Sequence, residues 1–388
     1  MRLLRGVQTM VEGPGSVVTI GNFDGLHRGH QAVMDRLQAS ARQRGCTSVL
    51  ITFEPLPPEF FAPTRAPGRL HRLRDRLLFL ATTGIDVVCL LKFAAPLAEL
   101  SAEDFVTQVL HRALRARHVW VGDDFRFGKG RQGDFALLER MGARLGFTVA
   151  ATPTVADAEG RISSTRIRAA VQAGDFAQAE ALLGRPYRLH GRVSHGDRRG
   201  RLLGFPTANL RLGPIPMALR GVYAGWLFRA TGEWLPAVAN IGWRPTVSGR
   251  EQRLEAHVLE VDGQVAPKPF PVGSTVAVAA GHGAVDWTRL NLYGERVVFQ
   301  PIALLRPEQR FPDLAALQAQ IAEDVAQARA LFRHGTGHGA GHGAGHGAGA
   351  AVTTSSPPIA PVPLSPGAPP LSGVEASTGS QIFPFPPA

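Results

Sequence analysis

The sequence predicts an α/β doubly wound domain followed by a small β-barrel with a C-terminal helix. Three observations carry this. Over residues 1–184, short apolar runs alternate with stretches of helical spacing, and strands separated by helices imply a parallel sheet covered on both faces. From about Tyr187 to Leu305 the texture changes to short alternating segments punctuated by glycine and proline, the pattern of a small barrel. Leu314, Leu317, Ile321, Val325 and Ala328 then recur along one helical face as far as about Phe332, a helix expected to close the barrel.

In chain order, the strand candidates of the first domain are Val17–Ile20, Val49–Phe53, Val87–Leu91, His118–Val121 and Phe147–Ala151. Helical stretches lie near 30–44, 70–83, 101–115 and 134–145, with Gly45 stopping the first and Ser101 and Asp104 forming an N-terminal cap of the second-last. Tyr223–Phe228, Leu235–Ile241 and Leu254–Val261 are strand candidates of the barrel. In the tail, residues 334–388, His334, His338, His342 and His346 recur amid Gly and Ala, before Pro, Ser and Thr take over. Such a composition cannot bury a core and reads as disordered. Flanking glycines make it costly to order the histidines around a metal, so a flexible tail is the favoured account.

A chain of 388 residues exceeds one typical core, and 44% apolar residues is ordinary for a globular protein. The division expected is 1–184, 185–333 and the tail 334–388. No window reaches the roughly 18 consecutive apolar residues of a spanning helix, and the N-terminus lacks a leader's apolar stretch, so neither a membrane nor export is expected. Cys46 and Cys89, each in apolar surroundings, read as small buried fillers in a reducing cytoplasm. Forty-two Lys+Arg against 31 Asp+Glu leave a net charge of +11, carried largely by arginine, which suits anionic ligands. No interleaved aromatic and basic motif, zinc finger or RNA-recognition signature accompanies it, so small phosphorylated molecules are expected rather than nucleic acid. Nothing in the chain sets an oligomeric state.

The most informative string is I-G-N-F-D-G-L-H-R-G-H-Q, Ile20 to Gln31. A strand runs into a glycine-rich turn and then a helix start, whose first N–H groups lack intrahelical partners and favour anions. Gly21, Gly25 and Gly29 let backbone and phosphate approach, and His27 and His30 are placed as proton-tunable donors. A lone H-x-x-H would read as a surface pair; the whole string favours phosphate. A second helix start, Arg161-Ile162-Ser163-Ser164-Thr165-Arg166-Ile167-Arg168, combines hydroxyls with arginines. Alone it could be an ordinary cap, but two such starts in one domain point to a polyphosphate.

G-N-F-D-G-L-H-R-G-H resembles the signature of the nucleotidyltransferase superfamily. Together with I-S-S-T-x-I-R, T-F-E-P-L-P-P-E-F-F at 52–61 and V-G-D-D-F-R-F-G at 121–128, it resembles bacterial bifunctional riboflavin kinase/FAD synthetases. The resemblance implies that Gly21, Asn22, Phe23, Asp24 and Gly29 form the ATP turn. His27 and His30 would then contact the ATP phosphates as catalytic groups. It further implies that Arg161, Ser163, Ser164, Thr165 and Arg168 hold the triphosphate, and that Asp124 and Phe127 lie in a nucleotide- and flavin-adjacent loop. Leu56 stands where that family usually has histidine.

Residues 191–210, G-R-V-S-H-G-D-R-R-G-R-L-L-G-F-P-T-A-N-L, resemble the riboflavin kinase module. Gly191, Gly200 and Gly204 would admit a nucleotide, and the Thr207 hydroxyl and Asn209 amide oxygen are hard ligands for Mg²⁺. G-V-Y-A at 221–224, N-I-G-W-R-P-T-V at 240–247 and R-P-E-Q-R-F at 306–311 extend the match. The resemblance makes Glu255 the general base toward the riboflavin 5′-hydroxyl; an exposed strand glutamate is the bland alternative, and Glu260 is read that way. Residues of about 264–290 are additional to the family pattern and read as a surface loop or hairpin. The implied activities are riboflavin plus ATP to FMN, then FMN plus ATP to FAD, with Mg²⁺ as cofactor. Alternatives are riboflavin kinase alone, for which Leu56 speaks, a flavin-binding regulator, or a basic nucleic-acid-binding protein.

Overall fold

The computed structural model describes residues 1–7, 13–195, 204–246, 249–260 and 292–333. The 264–290 segment, the 334–388 tail with its histidines, and Gly200 lie outside the described residues.

Six parallel strands form the first sheet: β1 (Arg2–Arg5), β2 (Ser16–Ile20), β3 (Thr47–Glu54), β4 (Val87–Lys92), β5 (Ala116–Val121) and β6 (Thr148–Ala151). Their order is β1-β4-β3-β2-β5-β6. Side chains alternate across the sheet. Val17, Leu50 and Val88 meet Met34 and Leu37 of helix α1 (Arg28–Gln43) on one face. Val18, Ile51, Cys89 and Val119 meet Val106 and Leu110 on the other. Cys89 is therefore a core filler as expected, while Cys46 is only half-buried; both thiols are free.

Successive strands run outward from β2 through β3 to β4, and the chain then returns to place β5 on the opposite side of β2. This reversal opens a crevice at the carboxyl ends of the strands, where doubly wound sheets bind ligands. The histidine turn follows β2 directly. Short helices α2 (Pro57–Phe61), α3 (Leu73–Ala81) and α4 (Ala95–Ala98) punctuate the crossovers. The Ser101 hydroxyl accepts from the Asp104 N–H, starting α5 (Ala102–Asp104), which continues as wider turns over Phe105–Ala113. After α6 (Phe135–Leu145) and a hairpin of β7 (Ala156–Asp157) and β8 (Gly160–Arg161) come α7 (Ser164–Ala173) and α8 (Phe176–Leu183). Each of the last two ends on a left-handed glycine, Gly174 and Gly184.

The barrel consists of β9 (Leu189–Ser194), β10 (Ala208–Gly213), β11 (Gly221–Arg229), β12 (Trp234–Thr246), β13 (Gly249–Val258) and β14 (Arg296–Arg306), in the closed order β10-β13-β12-β11-β14-β9. Pairing of β9 with β10 completes the ring, so the strands close the barrel themselves. Helix α9 (Leu314–Arg333) instead covers one outer flank, with Val325, Ala328 and Phe332 against Val222, Ala224 and Trp226. Leu314, expected on the apolar face, is 64% exposed, whereas Asp324 is buried and held by Arg306 at 2.8 Å.

The barrel interior is continuous with the first lobe. Tyr223, Leu227 and Phe299 belong to one cluster with Ile167 and Val171 of α7, Leu182 of α8, and Leu70. A strap before α3 bridges the lobes. The Arg69 N–H donates to the Pro216 carbonyl at 2.8 Å, the Ala218 N–H returns a bond to the Arg69 carbonyl at 2.8 Å, and the Tyr187 hydroxyl donates to the Leu70 carbonyl at 2.6 Å.

Candidate active sites

His27 is the N-cap of α1, its Nδ1 accepting from the His30 N–H at 3.3 Å. The two imidazoles stack, centroids 3.7 Å apart and 19° between planes, with Phe23 tilted against His30. A Cβ on Gly29 would stand 3.1 Å from the His27 ring, so close approach explains this glycine. The second helix start meets the first at Asp24. Ser163 caps α7, the Ser164 hydroxyl donates to the Asp24 carbonyl at 2.8 Å, and Arg168 reaches the Asp24 carboxylate at 2.6 Å. Two helix N-termini thus converge at one turn, and Arg161 adds an exposed guanidinium.

Several sequence expectations change here. The Asp24 carboxylate is buried and accepts from the Leu70 and His71 N–H groups as well as from Arg168, so it fastens the turn to the strap and α7 rather than facing a phosphate. Arg168, which also donates to the Gly68 carbonyl, is committed to the same staple. Phe23 is a core ring at 3% exposure, leaving only its backbone to the turn, and the Asn22 carbonyl accepts from Thr52 and Arg76. Phe127, expected in a flavin-adjacent loop, is a core ring. It is buried against Phe105 and Phe125. Asp124 is exposed and paired with Arg161 at 3.3 Å; Thr165 and Gly21 stay at the accessible rim. Leu56 is buried at the start of α2.

The F-E-P-L-P-P-E-F-F string also carries an aromatic group beyond the residues expected at the site. Phe60 and Phe61 of α2 and Phe53 of β3 each meet Phe93, just past β4, at 5.5–5.6 Å. Phe61 remains 65% exposed at the carboxyl edge of the sheet. Adjacent exposed phenylalanines beside a strand end were the available signal.

The imidazoles are neutral rather than proton-tunable near pH 7. Burial, with Arg161, Arg185 and Arg168 nearby, pushes His27 down to about 4. Burial and the neighbouring His27, then Arg185 and Arg161, hold His30 well below its ordinary value. Burial likewise takes His118 to about 4 and His71 to about 3. The unfolded chain protonates these rings near 6.5 while the fold keeps them neutral, so the unfolded state binds more protons on acidification. Their contribution is full above about 6.5 and is lost as pH falls toward 4, at about 1.4 kcal/mol per unit of difference. Urea titrations are expected to show the unfolding free energy declining across that window; a flat profile would contradict neutral burial.

In the barrel, a cavity of about 520 Å³ opens between Phe205, Pro206, Thr207, the end of β13 and α9, a size suited to a flavin or nucleotide. Gly204 sits on its rim in the left-handed region with open space around it. Gly191 plays another part: its Cβ would strike Leu210 at 2.5 Å, so it serves barrel packing and not nucleotide approach. The buried Asn209 amide donates to the Thr207 carbonyl at 3.2 Å and hydroxyl at 3.4 Å, which leaves Oδ1 as an acceptor. Glu255 lies in register between Asn209 and Asn240, and Arg244 holds both its carboxylate oxygens, at 2.8 and 3.2 Å. His257, two residues on, donates from Nδ1 to the Pro206 carbonyl at 2.9 Å. Glu260 is exposed, as expected, although it lies just beyond the end of β13 rather than in the strand, and it also lines the cavity.

Two helix N-termini meeting at the turn of a switch-point sheet, and a cavity beside a closed barrel, are the arrangement expected of a transferase of phosphorylated small molecules. The FAD synthetase family pattern matches residues 10–166, and the riboflavin kinase pattern matches residues 183–332. The chain is 42% identical over 334 residues to the bifunctional riboflavin kinase/FMN adenylyltransferase of Escherichia coli (strain K12), spanning 86% of this chain and 98% of that one. The enzymes of the same name from Pseudomonas fluorescens and Haemophilus influenzae are 43% and 38% identical, covering 85% and 86% of this chain and 98% and 99% of theirs. A crystal structure of a macrolide-efflux protein from Streptococcus pneumoniae aligns with a TM-score of 0.61 at 26% identity, over 85% of this chain and 100% of that one. The chain belongs to the bifunctional riboflavin kinase/FMN adenylyltransferase family.

Proposed function

We infer that the chain phosphorylates riboflavin to FMN with ATP and then adenylylates FMN to FAD with release of pyrophosphate. The observation that carries this is the presence of both family patterns, over residues 10–166 and 183–332, on one chain. We place adenylylation in residues 1–184 and phosphorylation in 185–333; the Gly184 cap between α8 and β9 supports that boundary.

In adenylylation, an FMN phosphate oxygen attacks the α-phosphorus of ATP in line. No covalent intermediate is needed, so the protein's part is positioning and charge stabilisation. His27, His30 and Arg161, with the first turns of α1 and α7, present donors to the phosphates. Phe61 and Phe60, beside Phe93, offer a face for the isoalloxazine that is more open than the buried Phe127 ring. Stacking is worth about 0.5–1.5 kcal/mol, so Phe61→Ala is expected to raise the KM for FMN roughly two- to tenfold in adenylylation and leave phosphorylation unchanged. An unaltered KM would remove Phe61 from the flavin seat.

In phosphorylation, Glu255 takes the proton of the ribityl hydroxyl as it attacks the γ-phosphorus. The Thr207 hydroxyl and the free Asn209 Oδ1 are hard oxygens that fit Mg²⁺, which would neutralise phosphate charge there. ATP, riboflavin and FMN are the partners this chemistry requires. A cytoplasmic location agrees with the free thiols, and no helix among the described residues is long and apolar enough to cross a membrane.

Incubation with riboflavin, ATP and Mg²⁺, followed by chromatographic separation of flavins, tests the whole reading. FMN followed by FAD is the expected product sequence. FMN alone would leave a kinase only, and no product with salt-dependent retention on DNA would favour a nucleic-acid binder.

A further inference from the structure

We propose that Arg185, in the connection between α8 and β9, is a positioning residue for adenylyl transfer that sets the pose of the histidine turn. The proposal rests on the adenylyltransferase reading above. Arg185 donates to the Gly25 carbonyl at 2.8 Å and the Leu26 carbonyl at 2.9 Å, the two residues immediately before the His27 cap. A third bond runs to the Leu183 carbonyl at 3.2 Å, and the guanidinium lies 4.0 Å over the Phe79 ring. Gln31, from the first turns of α1, shares the Leu26 and Leu183 carbonyls at 2.9 and 2.8 Å.

The backbone that Arg185 grips is unfavourable by itself. Phe23, Gly25 and Leu26 have φ of 48°, 86° and 48°, and side-chain-bearing residues rarely adopt that region. Such a turn persists only where its surroundings over-determine it. Because the peptide unit is planar and trans, fixing the Gly25 and Leu26 carbonyls also directs the Leu26 and His27 N–H groups, away from the guanidinium. A planar fork can hold two neighbouring carbonyls at once, which a single ammonium does less well.

Charge adds a second contribution. Among the described residues, Arg185 has no carboxylate partner; its bonds go to backbone carbonyls. Its positive charge therefore reaches the histidine pair without a neutralising neighbour. The other charged groups near the pair are Arg161 from β8, Arg168 from α7 and, bonded to Arg168, Asp24 of the turn itself. Arg185 is one of the groups keeping both imidazoles neutral, and it favours anionic phosphates at the same place.

Full-length Arg185→Met and Arg185→Lys are to be compared with wild type in FMN adenylylation and in riboflavin phosphorylation. Misplacing reacting groups costs up to about 10²-fold, so Arg185→Met is expected to lower kcat for FAD formation by that order, with smaller changes in KM and normal FMN formation. Its acid limb should move to higher pH, because the imidazoles lose a cation that opposes their protonation. Arg185→Lys keeps the charge and should keep the wild-type limb, while recovering only part of kcat. A wild-type kcat in Arg185→Met, an unmoved acid limb, or proportional loss of both activities would overturn the proposal. Should Arg185→Met not fold, Arg185→Lys decides: reduced kcat for FAD with intact kinase supports it, and full kcat refutes it. Wild-type protein that makes no FAD would overturn the underlying function instead.

Discussion

His30→Ala is expected to lower FAD formation from supplied FMN by about 10²–10³-fold, the usual cost of removing a donor aimed at developing charge, while FMN formation from riboflavin continues. His30 Nδ1 is buried without a hydrogen-bond partner among the described residues, and a polar atom in that state is costly unless a ligand completes it. The ring is held by stacking on His27 and contact with Phe23 rather than by a hydrogen-bond network. Its role is therefore better explained by a ligand than by the fold. A neutral imidazole donates one hydrogen bond without bringing a full charge, so its benefit appears as negative charge grows on the transferring adenylyl group. His30→Gln retains a donor at reduced reach and should fall between wild type and alanine. Steady-state rates of pyrophosphate release check the adenylyl step, and the kinase rate controls for folding. Equal losses of both activities in a folded variant would show that the two sites are not separate.

Local features of this chain were legible because local chemistry decides them. The Ser101 cap, the helix start at Ser163 and the Gly45 stop follow from short spacings that the backbone reads directly. Continuous apolar runs at β2, β3 and β4, separated by helical stretches, told which elements share a parallel sheet, and that sheet's reversal placed the turn. Pairings across the chain were hidden. Asp24 looked like part of a phosphate turn, and nothing near it in sequence announces Arg168 or the Leu70 N–H as its partners. The F-R-F motif offers two rings, and only packing against Phe105 reveals that Phe127 is the buried one. Gly191 resembled a nucleotide-approach glycine until barrel closure set Leu210 against it. Arg185, in an unremarked G-R-P-Y string, carried no local signal because its partners lie about 160 positions earlier.

The same long-range pairings tie the two lobes together. The strap that donates to Asp24 through Leu70 and His71 also exchanges backbone bonds with Pro216 and Ala218 beside the barrel. Asp75, at the start of α3, accepts from both Arg72 and His190 of β9, and these partners overcome its burial to hold its carboxyl down at about 2. The adenylyl turn is thus fastened through elements that also touch the kinase lobe. Two chemically separate reactions share one mechanical frame.

Glu255→Gln is expected to reduce FMN formation by roughly 10²–10⁴-fold, the range for loss of a positioned general base, with FAD synthesis from supplied FMN unchanged. Glutamine keeps the shape and one acceptor oxygen but cannot take up the proton of the ribityl hydroxyl. The strand fixes the geometry: Glu255 is flanked in register by Asn209 and Asn240, and its neighbours Leu254 and Ala256 are fully buried inside the barrel. Its carboxylate therefore projects outward, on the side where Asn209 and Thr207 would hold Mg²⁺–ATP, and Arg244 aims it by gripping both oxygens. A base aimed this way loses little when its substrate binds, so the substitution should act on kcat far more than on riboflavin affinity. Thr207→Ala and Asn209→Ala would remove oxygens proposed to hold the cation and not a base, so they should instead raise the Mg²⁺ and ATP concentrations needed for half-maximal rate. Titrating Mg²⁺ and ATP at fixed riboflavin separates the two kinds of defect. Near-normal FMN production by Glu255→Gln would reduce Glu255 to the partner of Arg244 and move the search for the base to Glu260, a carboxylate that lines the cavity.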